Sequence, residues 1–195
     1  MPEPSGAQWC ARFPGSASVN DLLPEFRANV NAFLAALHQA GAAIAVSATF
    51  RPPERAYLMH WAFGIATGLP PYMCRPIDQP NTPIDPATVP ALAGVDIDWT
   101  HGGNLAAARI AAQQMVTTYG LAYPAALASN HTVKRAIDMT ITWQGVLGIA
   151  DANGQQRAIA SQPRSGMNPE LWAVGKTFGV LKLPSDKPHW SDDGH

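Results

Sequence analysis

The chain has 195 residues, of which 47% are hydrophobic and 14% are charged, and its formal net charge is −1. These values suit an ordinary globular protein, and we predict a single domain over residues 1–195. The balanced charge, without a basic cluster, argues against nucleic acid as a partner. There is no run of about 18 apolar residues, so we expect no membrane span.

The N-terminal segment and the two cysteines provide evidence on the cellular location of the protein. The first residues lack the charged region and apolar core of a signal peptide. We therefore expect a cytoplasmic monomer, or one that reaches an outside substrate through lysis or a secretion system, with a delivery or immunity partner. Cys10 and Cys74 can pair or stay reduced, and neither belongs to a Cys-x-x-Cys pair that would indicate a zinc knuckle.

Helices and strands alternate along the first half of the chain, after an irregular segment at residues 1–19. Apolar residues at helical spacing predict a helix from a cap at Asn20 or Asp21 to about His38. Residues 43–50 then have the composition of a buried strand. Three features follow: a helix that opens at Pro52 and Pro53 and stops near Gly68, a Pro-rich insertion loop over residues 69–103, and an Ala-rich helix between Asn104 and Gly120.

The second half is predicted to be rich in strands. Residues 136–143 alternate apolar and polar, which indicates a half-buried strand with Asp138 opposite its apolar face. Two turns, at Gln144-Gly145 and Asn153-Gly154, predict an antiparallel meander through residues 146–150 and 157–160. A helix capped at Asn168 and a strand over residues 180–183 complete the list. The expected fold class is α+β, with a central, largely antiparallel sheet and flanking helices.

Two short stretches carry the candidate metal ligands. His131 lies in the loop that enters the strand of Asp138, so the imidazole and the carboxylate can converge on one ion. His189, from a neighbouring strand, would supply the third ligand. Zinc accepts imidazole nitrogen and carboxylate oxygen, and a catalytic zinc site uses three protein ligands.

These stretches form a longer pattern of fixed positions. They are Ser129, His131, Ala136 and Asp138, followed by Asp186, His189 and Trp190. This pattern resembles that of the zinc peptidases that include D-Ala-D-Ala carboxypeptidases and dipeptidases and phage L-alanyl-D-glutamate endopeptidases, over roughly residues 40–191. The resemblance implies the D-Ala-D-Ala carboxypeptidase/hedgehog-like fold and Zn²⁺ held by His131, Asp138 and His189.

The resemblance also implies roles around the metal. Asp186 would be the general base, and Arg51, at the end of the strand before the second helix, would bind substrate or stabilise the developing oxyanion. Ser129 is a candidate substrate-binding group. Lys134 stands where the family usually has glycine, which implies either a different local turn or a cation at the rim of the cleft.

The function implied is hydrolysis of peptide bonds in bacterial peptidoglycan stem peptides, as a carboxypeptidase or as an endopeptidase of the endolysin type. The sequence leaves open which bond is cut. Two other hypotheses stay open: a zinc hydrolase of another small amide, and a non-catalytic module of the same fold that binds cell-wall peptide or a protein.

Overall fold

The computed structural model describes residues 1–69 and 82–195. Helices and antiparallel strands occur together in these residues, so the predicted α+β class is confirmed. The α-helices are α1 (Pro24–Gln39), α2 (Pro53–Thr67), α3 (Leu105–Tyr119) and α4 (Pro169–Thr177). The strands are β1 (Glu3–Pro4), β2 (Ala43–Ala48), β3 (Ile97–Asp98), β4 (Ala136–Thr142), β5 (Leu147–Ala150), β6 (Gln156–Ile159), β7 (Leu181–Lys182) and β8 (His189–Ser191). None of the helices described is long and apolar enough to cross a membrane.

The chain divides into two compact units, each with its own hydrophobic core. Unit 1 consists of Met1–Pro14 and Pro52–Ala128, and unit 2 consists of Gly15–Arg51 and Ser129–His195. The six candidate site residues named from the sequence all belong to unit 2. The single domain expected over residues 1–195 stays a prediction.

Unit 1 is mainly helical. Helices α2 and α3 pack against each other around a core that includes Leu58, Ile65 and Met115. Helix α3 has the predicted ends, because the Asn104 side chain accepts a hydrogen bond from the Ala107 amide at 3.1 Å and Gly120 follows with a φ of 67°. Of the predicted Pro-rich loop, residues 70–81 lie outside the described residues, as does Cys74.

Unit 2 holds the main sheet, in which the strand order is β2-β4-β8-β7 and every neighbouring pair is antiparallel. Alternation along β4 sends Ile137 and Met139 into the core and leaves Asp138 on the other face, as predicted. Residue Trp190 pairs with Ile137 on the core side of β8. This sheet provides the platform for the site.

The predicted meander is confirmed for its second hairpin, at Asn153-Gly154, and wrong for its first, at Gln144-Gly145. Strand β5 does not return along β4; it pairs with β6 in a separate two-stranded sheet through the Asn153-Gly154 turn. The end of β4 is occupied instead by the segment around Ser165, which bridges Thr142, while the Gly166 amide donates to the Ile141 carbonyl at 2.9 Å. The central sheet is nevertheless antiparallel, because β2 and β8 run opposite to β4.

The predicted start of the first helix is also wrong. The side chain of Ser18 accepts a hydrogen bond from the Asn20 amide and caps a short 3-10 turn, Val19–Asp21. Helix α1 begins after this turn, with Pro24 in its first position. Proline suits that position because it has no amide hydrogen to leave unpaired.

Candidate metal centre

The β4–β8 pairing brings the first two candidate ligands together. Asp138 and His189 are direct cross-strand partners, on the face opposite Ile137 and Trp190. Directly opposed residues of an antiparallel pair have Cβ atoms about 5 Å apart, so their side chains meet. In the structure His189 Nδ1 lies 3.3 Å from Asp138 Oδ1.

The third candidate ligand, His131, is delivered by the tight loop that precedes β4. The amides of Thr132 and Lys134 donate to the carbonyls of Ser129 and His131, and Lys134 has a φ of 63°. The left-handed turn that a glycine would favour is therefore present with lysine. It places His131 Nε2 3.1 Å from the same oxygen, Asp138 Oδ1.

Backbone carbonyls hold the other nitrogen of each imidazole. His131 Nδ1 donates to the Thr49 carbonyl at 3.3 Å, and His189 Nε2 donates to the His195 carbonyl at 3.0 Å. A carbonyl only accepts, so each of these nitrogens carries a proton. In its neutral form each ring therefore presents a lone pair, at His131 Nε2 and at His189 Nδ1. Metal-binding histidines are typically oriented in this way.

Two imidazole nitrogens and one carboxylate oxygen thus converge in a buried place. His131 and His189 are 2% and 5% exposed, and the three potential ligand atoms lie within 4.8 Å of one another. Lone pairs that face a carboxylate repel it unless a cation or a proton lies between them. The group can therefore hold a metal ion.

The electrostatics of Asp138 agree with this geometry. Burial acts to raise the pKa of its carboxyl. When no metal ion is bound and the rings carry a second proton, hydrogen bonds from His131 Nε2 and His189 Nδ1 and the positive charge of the rings outweigh burial. The net effect holds the pKa well below its usual range. Asp138 is therefore an anion at neutral pH, which is the form that binds a cation.

The other three predicted site residues, Arg51, Ser129 and Asp186, lie on segments that carry or adjoin the metal ligands. Arg51 follows β2, and its amide donates to the His131 carbonyl at 3.2 Å. The Ser129 hydroxyl is buried and has no hydrogen-bond partner within the described part of the chain. Asp186 is exposed in the turn between β7 and β8, three residues before His189. The roles assigned to these three residues stay predictions.

Sequence reasoning missed three parts of the centre. Thr49, fully buried and bonded through Oγ1 to the carbonyls of Ser16 and Ser18, supplies the carbonyl that orients His131. The His195 carbonyl orients His189, and the Lys182 ammonium group donates to the His189 carbonyl. Carbonyl partners leave no mark in a sequence, but a lysine between Leu181 and Leu183 in an apolar strand is a visible signal.

No family model, curated protein or solved structure matches this chain. The class that the fold and the site define is an α+β protein in which His131, Asp138 and His189, from two distant stretches of sequence, can hold a metal ion.

Proposed function

We propose that this protein is a zinc-dependent peptidase that hydrolyses peptide bonds in peptidoglycan stem peptides. The observation that carries the proposal is the convergence of His131 Nε2, His189 Nδ1 and Asp138 Oδ1, with the outer nitrogen of each ring held by a carbonyl. Two imidazoles and one carboxylate form a ligand set that catalytic zinc sites use.

The distances support zinc as the ion. Two ligand atoms of a tetrahedral zinc site, each about 2.0–2.1 Å from the ion, are separated by about 3.3 Å. The two nitrogen-to-oxygen distances at Asp138 Oδ1 are 3.1 and 3.3 Å. Two of the three ligand separations therefore match those of a tetrahedral zinc site, and the third, between the two imidazole nitrogens, lies within 4.8 Å.

The chain's own residues have complementary tasks in this proposal. A zinc ion, when bound, supplies Lewis acidity toward a water molecule and a substrate carbonyl. The Asp186 carboxylate accepts the proton of the attacking water and passes it to the leaving amine. Arg51 binds a substrate carboxylate or stabilises the negative charge that develops on the scissile carbonyl oxygen.

The test combines metal analysis with product masses. We expect about one zinc per chain and a mass change when the protein is incubated with purified muropeptides, and the masses identify the bond that is cut. Turnover should stop in a strong chelator and return with zinc. If zinc is bound at one per chain and no muropeptide changes mass, the peptidoglycan proposal fails, and a panel of other amides then tests the broader hydrolase class.

The variant Asp186→Asn separates catalysis from metal binding. It should keep zinc at one per chain and lower kcat by roughly 10²- to 10⁴-fold, the usual contribution of a general acid–base group. Ser185→Ala, a change at the neighbouring exposed residue, is the matched control and should retain turnover. Full activity in Asp186→Asn would remove Asp186 from the mechanism.

A further inference from the structure

Lys182 is a buried lysine in the strand that precedes the Asp186 turn. It is 7% exposed and lies in β7, where it pairs with Trp190 of β8. Its Nζ donates to the carbonyls of Leu183, Asp186 and His189, the last at 3.0 Å. An ammonium group has three donors, and all three find acceptors here.

The three carbonyls belong to one short segment, residues 183–189. Each also accepts one backbone amide at 3.2 Å: Leu183 donates to His189, Asp186 to Leu183, and His189 to Asp186. The segment therefore closes on itself, and its carbonyls point at one centre occupied by the lysine ammonium. A turn of this kind depends on its central cation, because three converging carbonyl dipoles repel one another without it.

A lysine is a costly choice at this place. Burial lowers the pKa of Lys182, while the negative charges of Asp186 and Asp138 act to raise it. An apolar side chain would extend the run of Leu181 and Leu183 and avoid the desolvation of a charge. The three hydrogen bonds of the ammonium group account for the charge, because they tie together the segment that carries both Asp186 and His189.

We propose that Lys182 is a positioning residue that fixes the 183–189 segment, and with it the His189 imidazole and the Asp186 carboxylate. The part that concerns His189 requires only metal binding. The part that concerns Asp186 rests on the proposed peptidase function.

The first experiment measures zinc affinity by competition with a chromogenic chelator. Lys182→Met keeps an unbranched side chain as long as the aliphatic part of lysine and removes the ammonium group. It should weaken zinc binding by roughly 10- to 100-fold, as loss of an outer contact to a metal ligand does. The matched control is Lys187→Met, the same change at an exposed position of the same segment. Equal affinities in the two variants would overturn the His189 part.

The second experiment is a double-mutant cycle on muropeptide cleavage at saturating zinc. Lys182→Met should lower kcat by about 10²-fold through displacement of Asp186. In an Asp186→Asn background the same change should cost under about 3-fold, because the group that it positions is gone. A merely structural role predicts equal losses in both backgrounds, and that result would overturn the Asp186 part.

The outcomes stay separable from those of the proposed function. If the wild-type protein cleaves no muropeptide, the peptidase proposal fails, and the chelator competition alone decides the role of Lys182. If Lys182→Met does not fold, as judged by thermal unfolding, Lys182→Gln replaces it, since the Gln amide retains two of the three donors. Lys182→Gln should bind zinc more weakly than the wild type, and wild-type affinity would contradict the proposal.

Discussion

The two units each bury a histidine whose Nδ1 donates to a backbone carbonyl, and among the described residues only one of these histidines belongs to a candidate metal centre. His60 of unit 1 donates to Ala125 at 2.8 Å, and His131 of unit 2 donates to Thr49 at 3.3 Å. They differ in the surroundings of the ring. His60 packs edge-on against Trp61, whereas His131 packs edge-on against His189 and turns Nε2 to a carboxylate. A buried, bonded histidine is therefore a ligand candidate only when its second nitrogen meets other ligand atoms.

The strongest test of this comparison is the same substitution in both units. Asparagine can imitate the Nδ1 donor of histidine but has no group at the position of Nε2. His131→Asn should therefore lose zinc, with an affinity drop beyond the roughly 100-fold that loss of an outer contact can cause. His60→Asn should keep about one zinc per chain. Metal analysis after dialysis measures both, and zinc loss in His60→Asn would break the comparison.

A second pair of matched changes concerns two carboxylates with lowered pKa values. The hydroxyl and amide of Thr100 and the amide of Gly102 donate to Asp98 of unit 1, whereas two imidazoles face Asp138 of unit 2. Asp138→Asn should weaken zinc binding strongly, because a neutral amide is a poor ligand for zinc. Asp98→Asn should bind zinc as the wild type does. The chelator competition that serves for Lys182 measures both.

Asp98→Asn should instead change the pH dependence of stability. Hydrogen bonds from Thr100 are the main cause that lowers the pKa of Asp98 in the folded state, and burial opposes them. The stabilisation from this carboxylate is therefore complete above its unfolded pKa of about 3.9 and is lost as pH falls through the folded value. The variant should be less stable than wild type by about 1–2 kcal/mol at pH 7 and should approach it below pH 4. Urea unfolding across pH measures this, and a pH-independent difference would contradict the assignment.

What the sequence could predict depended on how local each signal was. The ends of α3 follow from Asn104 and Gly120, which act on the adjacent turn alone. Asp138 could be placed on the open face of β4 because alternation is a property of a single strand. The predicted pairing of β5 with β4 was wrong because residues 164–166, far along the chain, occupy the end of β4.

The candidate site follows the same division. The ligand residues could be found because histidine and aspartate, the residue types that supply imidazole and carboxylate ligands, are visible in the sequence. Their convergence depends on the register that opposes Asp138 and His189, and a one-residue slip would move His189 to the core face. Thr49 acts through its carbonyl, an atom common to every residue, so no sequence pattern distinguishes it. Lys182 was detectable only as an interruption of an apolar strand.

The smallest expected effect concerns backbone strain, which each unit holds at one non-glycine residue among those described. His101 of unit 1 has a φ of 50°, and Lys134 of unit 2 has a φ of 63°. A left-handed conformation costs an L-residue about 1–2 kcal/mol, which glycine avoids at the expense of a more flexible unfolded chain. At each position the Gly variant should therefore be more stable than the Ala variant by about 1 kcal/mol.

The Gly-to-Ala difference isolates the backbone. At position 134 the Gly and Ala variants both lose the contact of Lys134 Nζ with the Phe50 ring, 4.8 Å away. At position 101 both variants lose the hydrogen bond between His101 and the Ser5 hydroxyl. Thermal or urea unfolding of the four variants gives the two differences. Equal stability of Lys134→Gly and Lys134→Ala would mean that the loop before β4 relaxes without cost. The left-handed turn would then not be what holds His131 toward Asp138, and the Thr49 carbonyl would have to orient the ring alone.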